Sequence, residues 1–180
     1  MEKDSSIKVV IFDSANPDFF MAHADLEYLV KLSADKTVTR SLGLFHTIGE
    51  RMRTMPKVTI AKIAGRARGG GSELSLAMDM RFAVANKTIL AQPEIGIGII
   101  PAGGGTQRLP RLIGRARALE VILSGGDFSA ELAERYGYIN RAIPENEIDE
   151  FVDSLAERIA GYTQESIQAI KLTVNASESG

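Results

Sequence analysis

Four consecutive apolar residues, Val9, Val10, Ile11 and Phe12, predict a short buried strand within 7–13. A turn over 14–18, containing Pro17, follows it. Leu42, Phe45, Ile48, Met52 and Met55 recur at intervals of three and four, which predicts a helix over 37–55. Pro56 stops it. Alternation over 58–64 predicts a second strand, and Ser72–Met78 reads as a helix. Short strands are expected at 81–85 and 88–91. From Arg115 the pattern is mostly helical, at 115–123, 130–136, 147–160 and 163–175, interrupted by one strand over 138–143. Strands alternating with helices and then giving way to helices place the chain in an α/β or α+β class. The acidic stretch 145–157 reads as a solvated helix face.

Composition narrows the function more than the fold. At 180 residues the chain is one domain, long enough to bury a core without disulfides. The charge balance, 21 basic against 23 acidic residues, gives a net charge of -2, which disfavours nucleic acid or an anionic membrane as a partner. With no cysteine there is neither a thiolate nucleophile nor a Cys-based zinc site. Two histidines leave any metal site to carboxylates, so none is assigned. No apolar run approaches the roughly 20 residues of a membrane span, and the N-terminus carries no signal-peptide apolar region. A cytoplasmic location is the expectation.

The 17 glycines fall largely into two clusters, Gly65 with 69–71 and 96–105. The first spans a G-x-x-x-x-G frame, but Gly71 stands where a phosphate loop needs lysine. The second fails the dinucleotide fingerprint because Pro101 takes the third glycine position. What remains is a strand, then glycines, then a helix start, where unpaired backbone N–H groups face whatever precedes the helix. Such groups serve either as a packing turn or as an oxyanion hole, with Gly70 the donor by position. Glu73 lies in that helix's first turn, either compensating the dipole or acting as an acid or base beside the hole. Glu94 follows Gln92-Pro93 on a rigid loop, a solvated side chain or a second carboxylate facing the same substrate. His23 and His46 read first as structural, and the arginines at 66, 68, 108, 111, 115 and 117 as partners for cofactor phosphates or surface acids.

Taken together, several segments resemble the crotonase family, the enoyl-CoA hydratases and isomerases. Residues 19–26, Phe-Phe-Met-Ala-His-Ala-Asp-Leu, look like the family's A-F-x-A-G-A-D-L. Residues 57–65 resemble K-P-x-I-A-x-x-x-G. Gly69-Gly70-Gly71-Ser72-Glu73-Leu74, with Asp79 and Arg81 downstream, resembles G-G-G-x-E-L…D-x-R. Residues 92–96 resemble Q-P-E-I/V-G, and 100–109 resemble I-P-G-x-G-G-T-Q-R-L. Five matches stand in order between residues 19 and 109.

The resemblance implies a ββα spiral over 1–114 holding the active site, continued by helices over 115–180 within a single domain 1–180. It implies an acyl-CoA thioester substrate, with coenzyme A arriving as part of that substrate and no permanently bound cofactor. A homo-oligomer, trimer or hexamer, is implied as well. By carry-over, Ala24 and Gly70 form the oxyanion hole, Glu73 and Glu94 are the acid/base pair, and Ala102 helps place water. Ala22, His23, Asp25, Leu26, Gly69 and Pro93 line the substrate and CoA path. The reaction implied is reversible addition of water across the 2,3-double bond through a stabilised enolate. Double-bond isomerisation and a catalytically silent CoA-thioester-binding or scaffold subunit are the alternatives. Three departures stand out. His23 replaces a glycine in the A-G-A-D segment, which implies an altered acyl or CoA preference. Ala102 replaces another glycine but keeps its N–H. Against the family's usual length, the N-terminal hairpin and the terminal helices are expected to be missing, with exposed apolar surface as the result.

Overall fold

The computed structural model describes residues 4–23, 25, 27 and 43–177. Its strands are β1 (Val9–Phe12), β2 (Phe19–Met21), β3 (Val58–Ile63), β4 (Arg66–Arg68), β5 (Met80–Val84), β6 (Ile89–Ala91), β7 (Phe128–Ser129) and β8 (Arg141–Ile143). Its helices are α1 (Leu44–Thr54), α2 (Gly70–Leu76), α3 (Gly105–Ile113), α4 (Arg115–Ser124), α5 (Ala130–Tyr136), α6 (Ile148–Ala160) and α7 (Gln164–Ser177), with a 3-10 turn at Glu94–Ile97.

β1 to β6 alternate between two sheets, ordered β1-β3-β5-β8 and β2-β4-β6-β7, with β7 staying in the second and β8 returning to the first. The chain therefore lays one strand in each sheet, advances by one position and repeats, which is a spiral. The first sheet is parallel throughout, with Val9 opposite Val58, Ile60 opposite Met80 and Val84 opposite Ile143. In the second sheet only β7 runs antiparallel, pairing Phe128 with Leu90.

Both faces of the first sheet are covered, so its strands are apolar on both sides. On β3 and β5 the side chains alternate between two cores. Ile60, Phe82 and Val84 pack with Ile148, Val152 and Ala156 of α6. Ala61, Ile63 and Ala83 face the larger core, with Leu74, Leu90, Leu109, Val121 and Tyr138. α2 lies between the sheets and buries every residue from Gly71 to Leu76. The approach is close enough to require glycine: a Cβ on Gly71 would stand 2.1 Å from the Met21 carbonyl oxygen.

The elements that were expected match within one or two residues at most ends; α1 and the strand over 138–143 are shorter than expected, and β2, β4, β7 and α3 were not expected. Gly43 is extended (φ -61, ψ 163), so α1 begins at Leu44; residues 37–42 lie outside the described residues. The expected strand 138–143 shortens to 141–143. α5 ends at left-handed Gly137, and the Tyr138 N–H turns back to the Ala133 carbonyl at 2.8 Å, which uses Tyr138 in a helix cap. α3 was not expected, because it starts at a glycine and contains Pro110; burial of Leu109 and Ile113 overrides both. β4 is Arg-Ala-Arg, a strand with no apolar signature beyond Ala67.

α7 is held to this body by a charge. Lys171 Nζ donates to the carbonyls of Met52 (2.8 Å) and Lys57 (2.7 Å) and to Asp79 Oδ2 (2.8 Å). The same Oδ2 accepts from the Thr59 N–H and hydroxyl at 2.7 and 2.9 Å. Burial pulls the Lys171 ammonium below its ordinary pKa, and Asp79 offsets part of that. Removing one partner strands the other. Asp79→Ala is expected to lower the unfolding free energy by about 3 kcal/mol in urea titrations. Adding Lys171→Met should recover a large part of the loss. A single-variant loss under about 1 kcal/mol, or a strictly additive pair, would contradict this account.

Candidate active site

Glu73 occupies the first turn of α2 and is 5% exposed. The glycine loop ahead of α3 folds over it. Glu73 Oε1 accepts from the Gly105 N–H at 2.9 Å, and the Gly103 N–H also turns toward the carboxylate. The loop sits too close for side chains: a Cβ on Gly103 would lie 2.5 Å from Glu73 Oε2. α1 secures the loop from the other side. His46 Nε2–H donates to the Ala102 carbonyl at 2.7 Å. Arg108 Nη1 donates to the Gly103 carbonyl at 3.2 Å, while its Nη2 bonds Glu50 at 2.9 Å.

Glu94 opens the 3-10 turn behind Pro93 and is half-buried. Its carboxylate leans over the start of α2, where a Cβ on Gly69 would meet Glu94 Oε1 at 3.0 Å and the His23 Cβ at 3.4 Å. Gln92 is fully buried beside it. With its amide nitrogen facing Glu94, Gln92 donates to both carboxylate oxygens (3.2 and 3.1 Å) and its oxygen accepts from Ser72 Oγ at 3.1 Å. With the amide reversed, its oxygen opposes the carboxylate and its nitrogen faces Ser72 Oγ instead. Only the first orientation suits an ionised Glu94. Ser72 in turn bonds the Tyr138 hydroxyl.

Of the residues singled out in the sequence, Gly69, Gly70, Glu73, Pro93 and Glu94 come together. Gly69 is left-handed (φ 51), and its N–H is bound to the Ala91 carbonyl at 3.0 Å. Gly70 begins α2, so its N–H has no acceptor within the helix. Ala22, His23 and Asp25 are exposed, with Ala22 lying against Gly71 and Asp25 accepting from the Glu27 N–H at 2.9 Å. Ala102 is exposed on the loop beside Glu73. Ala24 and Leu26 lie outside the described residues. Among the described residues no cluster of three His, Cys, Asp or Glu is arranged to hold a metal, and no helix is long and apolar enough to cross a membrane. Sequence reasoning missed His46 as the loop's tether, and Ser72, Gln92 and Tyr138 as a polar support. Gln92 and Ser72 sit inside quoted motifs, but nothing in an apolar-looking 138–143 flagged a buried hydroxyl.

Both carboxyls are pushed above their ordinary pKa. For Glu73 burial dominates, partly offset by the Gly105 and Gly103 N–H groups and by the neighbouring His46 and Arg108. For Glu94 burial again leads, its own backbone N–H opposes, and the negative charge of Glu73 adds to the rise. A carboxyl with a raised folded pKa binds protons more tightly folded than unfolded, so its contribution to stability is full at acid pH and fades as pH rises through the folded value. The stability difference between wild type and Glu73→Gln should therefore grow in favour of wild type as pH falls from neutral to below the ordinary value of 4.5. Urea titrations at several pH values would show it; a flat difference, or one shrinking toward acid, would refute the raised Glu73 pKa.

Comparison with known proteins places these features in a family. The enoyl-CoA hydratase/isomerase family model matches residues 1–179. A crystal structure from Streptomyces avermitilis, which bears the name enoyl-CoA hydratase provisionally, is 47% identical with a TM-score of 0.87, covering 95% of this chain and 62% of that one. The enoyl-CoA hydratase of Bacillus anthracis is 35% identical with a TM-score of 0.86, covering 97% of this chain and 67% of that one. The crotonyl-CoA hydratase of Syntrophomonas wolfei is 34% identical over 173 residues, 96% of this chain and 65% of that protein. The chain spans 62–66% of the length of three curated relatives it matches. The spiral of paired strands is the crotonase fold, and this chain belongs to the enoyl-CoA hydratase/isomerase family.

Proposed function

We propose that this protein hydrates 2-enoyl-CoA thioesters, adding water reversibly across the 2,3-double bond. The observation that carries the reading is the pair Glu73 and Glu94: two carboxyls of raised pKa on either side of the Gly69-Gly70 turn, coupled by charge. Such a pair divides acid and base work when its two environments differ. Glu73 has two N–H donors and the Arg108 guanidinium nearby and so is the better-held anion. Glu94 feels that anion and keeps the proton. Glu73 takes a proton from water as the water oxygen bonds C3, the π electrons pass to the thioester as an enolate, and Glu94 gives its proton to C2; the proton left on Glu73 goes back to Glu94 through solvent before the next cycle. The Gly70 N–H at the start of α2, joined by that of Ala24, would hold the enolate oxygen. Ala102 N–H would help place the water. Ala22, His23, Asp25, Leu26, Gly69 and Pro93 would line the path of the CoA chain. No permanent cofactor is needed. Exposed Ile95, Ile97, Ile99 and Ile100 beside the site favour a homo-oligomer, a trimer or hexamer.

The test is loss of conjugated-thioester absorbance with a short 2-enoyl-CoA, run in isotopically labelled water. Wild type should turn over and place solvent oxygen in the product. Glu73→Gln and Glu94→Gln should each fall by about 10²–10⁴ in kcat. Undiminished turnover in either variant would overturn the two-carboxyl mechanism, and a rearranged product without solvent oxygen would identify an isomerase.

A further inference from the structure

Three polar side chains with no exposed surface stand behind Glu94: Tyr138, Ser72 and Gln92. Buried polar groups persist when each finds a partner, and in these three the partners form a line. Tyr138 Oη meets Ser72 Oγ, Ser72 Oγ meets the Gln92 amide, and the amide meets Glu94. We propose that Tyr138, Ser72 and Gln92 are a one-way relay of hydrogen-bond donors, in which Ser72 fixes the Gln92 amide with its nitrogen toward Glu94 and so sets how strongly Glu94 holds its proton.

Direction follows from chemistry at each joint. The Tyr138 hydroxyl is held protonated, its pKa pushed up to about 12 by burial, so it remains a donor. It donates to Ser72, whose own hydrogen is then directed to the Gln92 oxygen. That leaves the Gln92 nitrogen for Glu94. Without the Ser72 hydroxyl the amide loses its reason to choose, because the nitrogen can then seek the Tyr138 oxygen, which lies 3.4 Å from it once the amide is reversed. In that reversed state the amide oxygen opposes the carboxylate. The backbone keeps Tyr138 in register. Buried Arg81 donates from Nε to the Tyr138 carbonyl at 3.0 Å and from Nη1 to the Met78 and Ser75 carbonyls at 2.8 and 3.2 Å. The arginine of the D-x-R segment thus positions a hydroxyl beyond the glycine motifs.

The other groups facing Glu94 are Glu73, whose charge raises it, the Tyr138 hydroxyl itself, and His23 across Gly69. Ser72 and Tyr138 are positioning residues that act on Glu94 through Gln92, whose amide meets the carboxylate. Their consequence for turnover rests on the hydration reading, in which Glu94 must surrender a proton every cycle. Their consequence for titration does not.

The experiment therefore reads titration directly. Glutamate labelled with ¹³C at its carboxyl is followed by NMR against pH in the full chain, and Glu94 is assigned by the resonance lost in Glu94→Gln. In Ser72→Ala the Glu94 midpoint should rise by about one pH unit, the loss of one hydrogen bond to a charged group. The Glu73 midpoint should move much less. Tyr138→Phe, which keeps the ring, should shift Glu94 the same way by a smaller amount, and it decides the matter if Ser72→Ala does not fold. Combining the two should add nothing to Ser72→Ala, because the relay passes through Ser72. An unmoved Glu94 midpoint, or Glu73 and Glu94 moving equally, would overturn the relay even if hydration is observed. A shifted midpoint in a protein that hydrates nothing would leave the relay standing and remove only the function.

Discussion

A carboxylate out of water yet open to a proton is the constraint on which this structure turns. Glu73 meets it by sitting in the first turn of a helix buried between two sheets, where burial raises its pKa and the N–H groups of Gly105 and Gly103 keep the anion tolerable. Neither term would suffice alone. Burial without donors would push the pKa higher still, and donors without burial would leave an ordinary surface carboxylate.

Much of the surrounding architecture serves that balance. The loop over Glu73 must be glycine because its backbone comes within reach of both oxygens. A loop of glycines does not hold itself, so α1 holds it through His46 and through Arg108, itself fixed by Glu50. α1 in turn is tied to α7, since Lys171 caps the Met52 carbonyl and Asn175 Nδ2 donates to the Arg53 carbonyl at 3.0 Å. Glu94, less buried, carries the negative field of its partner and receives its own support from Gln92.

The sequence singled out the two glutamates beside its glycine clusters, each with a structural reading as well, and only the resemblance across five segments joined them as a pair. It made the central strands legible through β-branched runs such as Val58–Ile63. It concealed α3, where Gly105 and Pro110 argue against a helix and only the packing of Leu109 and Ile113 favours one. It concealed Tyr138 for a related reason. A tyrosine among Gly137, Ile139 and Ile143 reads as a strand residue, and its real role depends on a helix cap and on Ser72, 66 positions earlier in the chain. His46 likewise rides an amphipathic helix, and only the arrival of the Ala102 loop gives its ring a purpose. Pairings between distant segments were the part that local pattern could not carry.

The spiral also imposes an order in time. Its strand partners lie far apart along the chain, Val9 with Val58 and Val84 with Ile143, so the loop-closing entropy is spent before the pairing is gained. During synthesis from the N-terminus, the Glu73 pocket has all its backbone donors once residue 105 has emerged. The hydroxyl behind Glu94 and the last strand of the first sheet, however, still await residues 138–143. Until they arrive, Ser72 and Gln92 are polar groups in a half-built core, and the nascent chain presents its apolar sheet face to whatever folding assistance the cell provides.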